Sequence, residues 1–411
     1  MPTSTASDRP SVGQLINAPH RLMFFVGASN VLLAMAWWAA WLIAARWPDV
    51  LPMPQPQPPI QAGWLHAFIM QYLVLPSFMF GFLLTVFPRW MGLPDLKQRD
   101  YVPVGVGLMG GQLAILFSTL GLKAGLVVGL LMVVAGWSWG LFLLGRLLFA
   151  EPGKTWHARS CYAALVLGYL GILGFLASVL TENVVLVFYS IKLGGMGLLF
   201  PIYITVAHRM FPFFAGNVVP GYKLWRPLSW LAAVWAFALL HLGLEMANAM
   251  RWLWLADVPL FGLTTYATWR WWPRGRMPGL LAVLFYGVAW IPLTFALYSA
   301  QSLILLASGE FVLGRAPAHA LFIGFFGSLL VAMVTRVTQG HSGRPLIMPW
   351  AAWFAYIALQ IVTVLRIASE VTTDAYLWYA IVAIGWIVAL LPWVCRIGWI
   401  YLSPRADGRP G

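Results

Sequence analysis

The feature that most constrains this chain is a series of apolar runs, each about 20 or more residues long, separated by short stretches that hold the charges, prolines and glycines. A helix of that length crosses the hydrocarbon core of a bilayer. Hydrophobic residues make up 61% of the 411 residues and charged residues only 9%, whereas a soluble domain is roughly one quarter charged. The chain is therefore predicted to be an all-α, polytopic membrane protein.

Dividing the sequence at its charged and Pro/Gly-rich breaks predicts about twelve transmembrane helices in a single domain over residues 1–411. Residues 1–19 would form a polar N-terminal tail and residues 403–411 a C-terminal tail. The first apolar run is long enough to span, so we expect a retained helix rather than a signal peptide. The predicted spans are residues 21–46, 62–88, 102–121, 124–149, 158–180, 184–208, 227–249, 251–271, 279–307, 317–338, 348–369 and 375–402.

The distribution of lysine and arginine predicts the orientation of these spans. With twelve spans, nineteen of these residues fall in the N-terminus, the even-numbered loops and the C-terminus, and five fall in the odd-numbered loops. Cytoplasmic loops are enriched in Lys and Arg, so both termini are predicted to be cytoplasmic. The formal net charge of +13 then indicates loops that face anionic lipid, not a nucleic-acid partner.

The two cysteines exclude several kinds of site. Cys161 and Cys395 both lie inside apolar runs and not in CxxC spacing. We therefore expect no disulfide framework, no thiolate metal cage and no covalent haem attachment through CxxCH.

Histidines at a common depth are the main candidates for chemistry. His66 and His319 lie near the outer ends of spans two and ten, and His241 lies in the outer part of span seven with Glu245 one turn further on. An imidazole offers one lone pair to a metal while its other nitrogen donates to an acceptor. The pattern indicates haem or copper ligands, with Glu245 as an acceptor, a proton carrier or a direct ligand.

A second set of histidines, His20, His208 and His341, lies at the inner ends of spans one, six and ten, while His157 lies in a basic loop. His319 and His341 stand about 33 Å apart if span ten is helical throughout, so they cannot share a metal. Each of these histidines is also explained as an interhelical hydrogen-bonding contact.

Cationic residues near these histidines have two interpretations. Arg336 and Arg344 bracket His341, and their guanidinium groups could hold haem propionates or another anion. The positive-inside rule explains them equally well.

Lys192 lies deep in span six, where an ammonium either has a functional role or pairs with an acid such as Glu182. Prolines that would kink spans are Pro76, Pro201, Pro292 and Pro392.

Three sequence blocks carry a family resemblance. Span ten contains HAL at residues 319–321, MVTRV at 333–337 and GHSGRP at 340–345. These resemble the HAL, MTR and GHTGRP motifs of the NnrS family, integral membrane proteins tied to the response to nitric oxide and regarded as containing haem and copper. The second block, GFLLT at residues 81–85 followed by a proline, a tryptophan and a glycine, resembles that family's GFLLT…P-W-x-G stretch.

The third block, HRMFPFF at residues 208–214, resembles the family's GR-x-x-P-x-F segment, with His208 where glycine is usual. Span two departs from the family's W-H-x-H-E-M pattern, because Phe68 and Ile69 stand where the second histidine and the glutamate would be. One ligand or proton carrier of the family is therefore missing. The blocks extend over nearly the whole chain.

The resemblance implies a multi-pass protein of the bacterial inner membrane that acts in nitric oxide metabolism, nitrosative stress or denitrification. It implies non-covalent haem, expected to be b-type, and copper, with His66, His241 and His319 as candidate axial ligands. Turnover of nitric oxide, electron transfer and protective binding all stay open. Two rivals also stay open: a transporter of a metal, haem or small anion, and an assembly factor for a respiratory complex.

Overall fold

A computed structural model describes residues 10–51, 60–121 and 124–408 of the chain. Within those ranges the chain forms helices joined by short turns, and no strand occurs. Most of the Pro-rich segment 51–59 lies outside the described residues, as do Arg9, Lys123 and Arg409, which entered the charge count above.

The prediction of an all-α membrane protein with about twelve spans is confirmed. Eleven of the described helices are long and apolar enough to cross a membrane. Helix α8 is shorter and holds Asp257 and Arg270 within its 18 residues. The helices are α1 (Pro19–Arg46), α2 (Ala62–Met91), α3 (Gln98–Ser118), α4 (Ala124–Ala150), α5 (Trp156–Thr181), α6 (Val184–Gly216), α7 (Leu228–Met246), α8 (Trp254–Trp271), α9 (Gly279–Ser308), α10 (Ala316–His341), α11 (Trp350–Val371) and α12 (Ala375–Leu402).

Both ends of the described chain lie on the same face of the bundle, which we call the N-terminal face. The backbone N–H of Ser11 donates to the carbonyl of Leu402 at 2.8 Å. The buried guanidinium of Arg21 donates to the carbonyl of Ser403 at 3.0 Å and to that of Tyr401 at 3.3 Å. These bonds satisfy carbonyls at the end of α12, where a helix leaves acceptors without partners and where a cation is favourable.

Helices α2 and α10 occupy the centre of the bundle. The most apolar windows of α2 and α10 are 83% and 78% buried, whereas those of the other nine spans are between 39% and 61% buried. The two helices that carry the most specific sequence blocks are therefore the two with the least lipid contact. Polar groups in a bilayer need partners within the protein. The polar side chains of these two helices, such as Gln71 and Ser328, are accordingly buried against protein.

Three helices widen into π-helical segments that meet one another. The segments are Met70–Val74 in α2, Leu193–Leu199 in α6 and Ala320–Gly327 in α10. A Cβ added at Gly194 would lie 2.1 Å from the side-chain oxygen of Gln71, and one at Gly195 would lie 3.3 Å from the ring of Phe322. The first two segments directly precede Leu75-Pro76 and Phe200-Pro201, where a proline removes a backbone donor.

The remaining prolines behave differently from one another. Helix α9 breaks at Ala289, three residues before Pro292, so an interruption is present there. Pro392 lies within α12 and does not interrupt it.

Helices α3 and α4 pack against each other through glycines. A Cβ added at Gly107 would lie 2.6 Å from the Cα of Gly136 and 2.8 Å from the carbonyl oxygen of Met132. A Cβ at Gly111 would lie 2.9 Å from the carbonyl oxygen of Gly129. Small residues four apart let two membrane helices approach closely, because the backbones themselves are in contact.

We predict that Gly107→Ala lowers the thermal midpoint of the detergent-solubilised protein. The added methyl group meets backbone atoms that cannot rotate away, and overpacking of this kind costs about 1–3 kcal/mol. The measurement is fluorescence-detected thermal unfolding. Gly243→Ala is the matched control, because a Cβ at Gly243 meets nothing within 4 Å, so its midpoint should stay the same or rise. Equal midpoints for the two variants would contradict close backbone packing of α3 on α4.

Candidate functional site

Helix α10 carries a histidine at each end, and each one lies near a histidine of another helix. At the face opposite the N-terminal face, His319 of α10 lies within electrostatic reach of His66 of α2. We call these two residues the α2–α10 pair. At the N-terminal face, the ring of His341 lies 4.5 Å from the ring of His20 of α1. We call these two residues the α1–α10 pair.

The α2–α10 pair has nitrogens free to bind a ligand. The Nδ1 atom of His319 lies 2.9 Å from the carbonyl oxygen of Arg315. A carbonyl accepts only from an N–H, so the lone pair of this ring is on Nε2. The Nδ1 atom of His66 is buried and has no hydrogen-bond partner. A hydrogen bond from one ring nitrogen to a backbone carbonyl is the usual way to orient a metal-ligating histidine.

The surroundings of this pair combine aromatic packing with positive charge. The ring of His66 stacks on Trp38 at 4.5 Å and 10°, and Trp38 stacks in turn on Trp41 at 5.2 Å and 5°. Arg315 and Arg366 are close enough to act electrostatically on both histidines. Trp38 therefore positions a histidine that is a candidate ligand.

Glu370 ties the start of α10 to α11. Its carboxylate accepts from Arg366 at 2.5 Å, from the backbone N–H of Arg315 at 2.9 Å and from the hydroxyl of Tyr379 at 3.0 Å. Three donors on one carboxylate hold the turn that precedes His319 in place.

The α1–α10 pair is a direct contact between two imidazoles. The two ring planes are inclined by 58°. His20 is 5% exposed, and its Nδ1 atom is buried without a hydrogen-bond partner. Arg21, Arg89 and Arg405 lie close enough to act electrostatically on both rings. A buried imidazole nitrogen without a partner is unfavourable unless something binds it.

His157 and His208 form a third pair, between α5 and α6. The Nε2 atom of His208 lies 3.2 Å from the carbonyl oxygen of Pro227, so this nitrogen is the donor. Its Nδ1 atom then accepts from Nε2 of His157 at 2.9 Å. Trp230 stacks on His208 at 5.5 Å and 6°. Both nitrogens of His208 are engaged, and this histidine lies against His157 and not in the α1–α10 pair.

His241 belongs to a chain of buried charged groups that we call the α6–α8 network. Its Nδ1 atom lies 2.6 Å from Oδ1 of Asp257 in α8, and its Nε2 atom lies 3.5 Å from Oε2 of Glu245. The other oxygen of Glu245 accepts from the ammonium of Lys192 in α6 at 2.6 Å. The predicted one-turn pairing of His241 with Glu245 is therefore present, and the acid that pairs with Lys192 is Glu245.

Among the described residues, no group of three or more His, Cys, Asp or Glu side chains has an arrangement that could hold a metal ion. The histidines occur as pairs, and His241 faces two carboxylates. Arg336 lies with its guanidinium 3.9 Å from the ring of Phe214 in α6. Arg344 lies in a separate pocket at the N-terminal face.

An apolar cavity of about 70 Å³ lies between the levels of the α2–α10 pair and the α1–α10 pair. Residues of α1, α2, α6 and α10 line it, including Phe24, Phe78, Tyr203 and Met333. Phe24 also contacts the ring of His20 edge-on at 6.2 Å. An apolar cavity of this kind accepts small apolar molecules.

Sequence reasoning missed two of these partners. Asp257 is an acid inside a predicted span, and such residues are functional candidates by default, so its position was a usable signal. His157 was placed in a basic loop, but it lies in the first turn of α5. Nothing in the sequence shows that it faces His208, because this depends on the rotation of α5 and α6 about their axes.

A family model described as NnrS protein matches residues 14–405. No curated protein matches the chain.

We predict that Lys192→Met destabilises the protein because it leaves Glu245 buried without its cation. Breaking a buried ion pair costs about 3–5 kcal/mol, and we expect the lower end because the Lys192 side chain is 24% exposed. The double variant Lys192→Met/Glu245→Gln should recover most of the loss, since no unpaired charge remains. Thermal unfolding of both variants measures this. A double variant no more stable than the single one would contradict the pairing.

Proposed function

Because this chain belongs to the NnrS family, we propose that it is a membrane haem protein, also able to bind copper, that acts in nitric oxide and nitrosative-stress metabolism. The observation that carries the proposal is that each end of α10 brings a histidine near a histidine of another helix. Each pair joins two helices, and each has arginines beside it.

The α2–α10 pair fits haem by the chemistry of its donors. His66 has a buried Nδ1 atom without a partner, and His319 has its Nδ1 atom against a carbonyl. These two residues would hold the iron, and Arg315 and Arg366 supply the positive charge that propionates require. When bound, haem would supply a redox-active iron, which takes up a diatomic gas only where one of its two axial positions is open. Attachment would be non-covalent and b-type, because no CxxCH motif occurs in the sequence.

The α1–α10 pair fits copper better than haem. Its two rings are 4.5 Å apart, which leaves no room for a macrocycle between them but lets both contact one ion. Imidazole suits copper, and the unpartnered Nδ1 atom of His20 is the atom that an ion would satisfy. His341 supplies the second ring from the end of α10.

The ligand class follows from the cavity between the pairs. An uncharged diatomic gas such as nitric oxide partitions into apolar space, and the cavity of about 70 Å³ has a lining without polar surface. Its walls come from α2 and α10, the helices that carry the histidines of the proposed haem site. Apolar walls of this kind disfavour water and charged species.

The α6–α8 network supports a second candidate function, the proton-coupled transport of a metal, haem or small anion. Lys192, Glu245, His241 and Asp257 form a continuous chain of titratable groups. The second oxygen of Asp257 is buried without a partner. Ionisable side chains inside a membrane mark ion and proton pathways. In the haem interpretation the same chain would carry protons toward a bound ligand.

The absorption spectrum of purified protein, expressed with added haem, tests the first proposal. We expect a Soret band in the wild-type protein and its loss in His66→Ala and His319→Ala, because each removes one candidate ligand. His157→Gln is the matched control and should keep the band, since His157 belongs to neither the α2–α10 pair nor the α1–α10 pair. A colourless wild-type protein with substrate-dependent uptake into liposomes would contradict the haem proposal and favour transport.

Copper analysis after dialysis tests the α1–α10 pair. We expect His20→Ala and His341→Ala each to lose most of the copper found in the wild-type protein, because a single imidazole is a weak site. Haem content should be unchanged in both variants, since the haem histidines lie at the other end of α10. Copper retained in the His20→Ala/His341→Ala double variant would overturn this assignment.

A further inference from the structure

A second pocket opens at the N-terminal face, between the start of α11 and the last turns of α12. Its volume is about 350 Å³, which lies within the usual range for ligand sites. Its lining includes two arginines, two tryptophans and the thiol of a cysteine, which are Arg344, Arg396, Trp350, Trp399 and Cys395. The pocket is separate from both histidine pairs.

The pocket has an excess of positive charge. One guanidinium nitrogen of Arg344 is buried and has no hydrogen-bond partner. Within the described ranges, neither Arg344 nor Arg396 forms a salt bridge, and no acidic residue lines the pocket. Burial, together with the neighbouring Arg396, lowers the pKa of Arg344. Two guanidinium groups without an acid partner suit an anion that accepts several hydrogen bonds, such as a phosphate.

The position of the pocket points to the membrane as the source of that anion. Trp350 and Trp399 are 71% and 61% exposed, and exposed indoles near the ends of spans lie at headgroup level. Trp399 is about 5 Å from the end of α12 and Pro392, which also lines the pocket, is about 15 Å from it. The pocket therefore extends from headgroup depth to acyl-chain depth.

We propose that this pocket binds the phosphate of an anionic phospholipid, with Arg344 and Arg396 as the phosphate ligands. The two indoles would flank the headgroup, and an acyl chain would run along α12 past Cys395 toward Pro392. Basic pockets between membrane helices are a recognised site for anionic headgroups. A free phosphate ion has the same charge chemistry but would leave the apolar depth of the pocket empty.

Alkylation of Cys395 tests the proposal in the intact protein. Cys395 is exposed and lines the pocket, whereas Cys161 is buried, so a maleimide should label Cys395 alone. We expect labelling to be roughly fivefold slower in nanodiscs that contain phosphatidylglycerol than in nanodiscs of phosphatidylcholine. Peptide mass spectrometry gives the labelling rate at each cysteine.

The arginine variants identify the cause of the protection. Arg344→Gln/Arg396→Gln should abolish the slowing, whereas Arg344→Lys/Arg396→Lys should retain part of it. Arg274→Gln/Arg276→Gln is the matched control, because it removes the same charge from exposed positions in the loop between α8 and α9 and should leave the protection unchanged.

Three results would overturn the proposal. Equal labelling rates in the two kinds of nanodisc would show that no anionic lipid enters the pocket. Protection in the Arg344→Gln/Arg396→Gln variant equal to that in the wild-type protein would show that surface charge, and not the pocket, slows labelling. Protection by inorganic phosphate in phosphatidylcholine nanodiscs, as strong as that by phosphatidylglycerol, would assign the pocket to a free anion.

Discussion

The exclusion of water from the bilayer core governs how the polar groups of this chain are arranged. A buried polar atom in that environment must find its partner within the protein. The histidines and charged residues of the spans accordingly occur in contact with one another: His157 with His208, His241 with Asp257, and Lys192 with Glu245. The atoms that break this rule, such as Nδ1 of His20 and Nδ1 of His66, stand out for the same reason. These two atoms belong to the histidine pairs at opposite ends of α10, whereas Nε2 of His241 and Oδ2 of Asp257, which also lack hydrogen-bond partners, belong to the α6–α8 network.

The central position of α2 and α10 connects the fold with the proposed chemistry. Their π-helical segments contact that of α6 and begin close to the α2–α10 pair, since Met70 follows His66 by four residues and Ala320 directly follows His319. π-Helical turns are uncommon and frequently accompany functional sites. Here the three segments are in contact, so the backbone departs from regular α-helical geometry next to the α2–α10 pair. The apolar cavity lies beyond these segments, toward the N-terminal face, and has walls from α1, α2, α6 and α10.

The spans and the contacts within one helix can be predicted from the sequence, whereas the contacts between helices cannot. Hydropathy predicts the ends of most spans within about four residues, because apolar length is a property of each segment alone. The exception is α6, which is predicted to end at residue 208 and continues to Gly216. The pairing of His241 with Glu245 follows from their spacing on one helix. Contacts between helices, such as His241 with Asp257 or His20 with His341, depend on how each helix is rotated about its axis. A helix buried on most sides has little amphipathic signal to report that rotation, and α2 and α10 are the two most buried spans, with 83% and 78% of their most apolar windows buried.

The π-helical segment of α10 has a consequence for how its two ends relate. Eight residues wound more loosely than an α-helix shift the azimuth of everything beyond them by roughly 100°, the angle per residue of an α-helix. A helical wheel drawn over the whole of α10 would therefore put His319 and His341 at the wrong mutual angle. The loosely wound turns rotate one half of α10 relative to the other about the helix axis. The direction in which His319 faces α2 is therefore independent of the direction in which His341 faces α1.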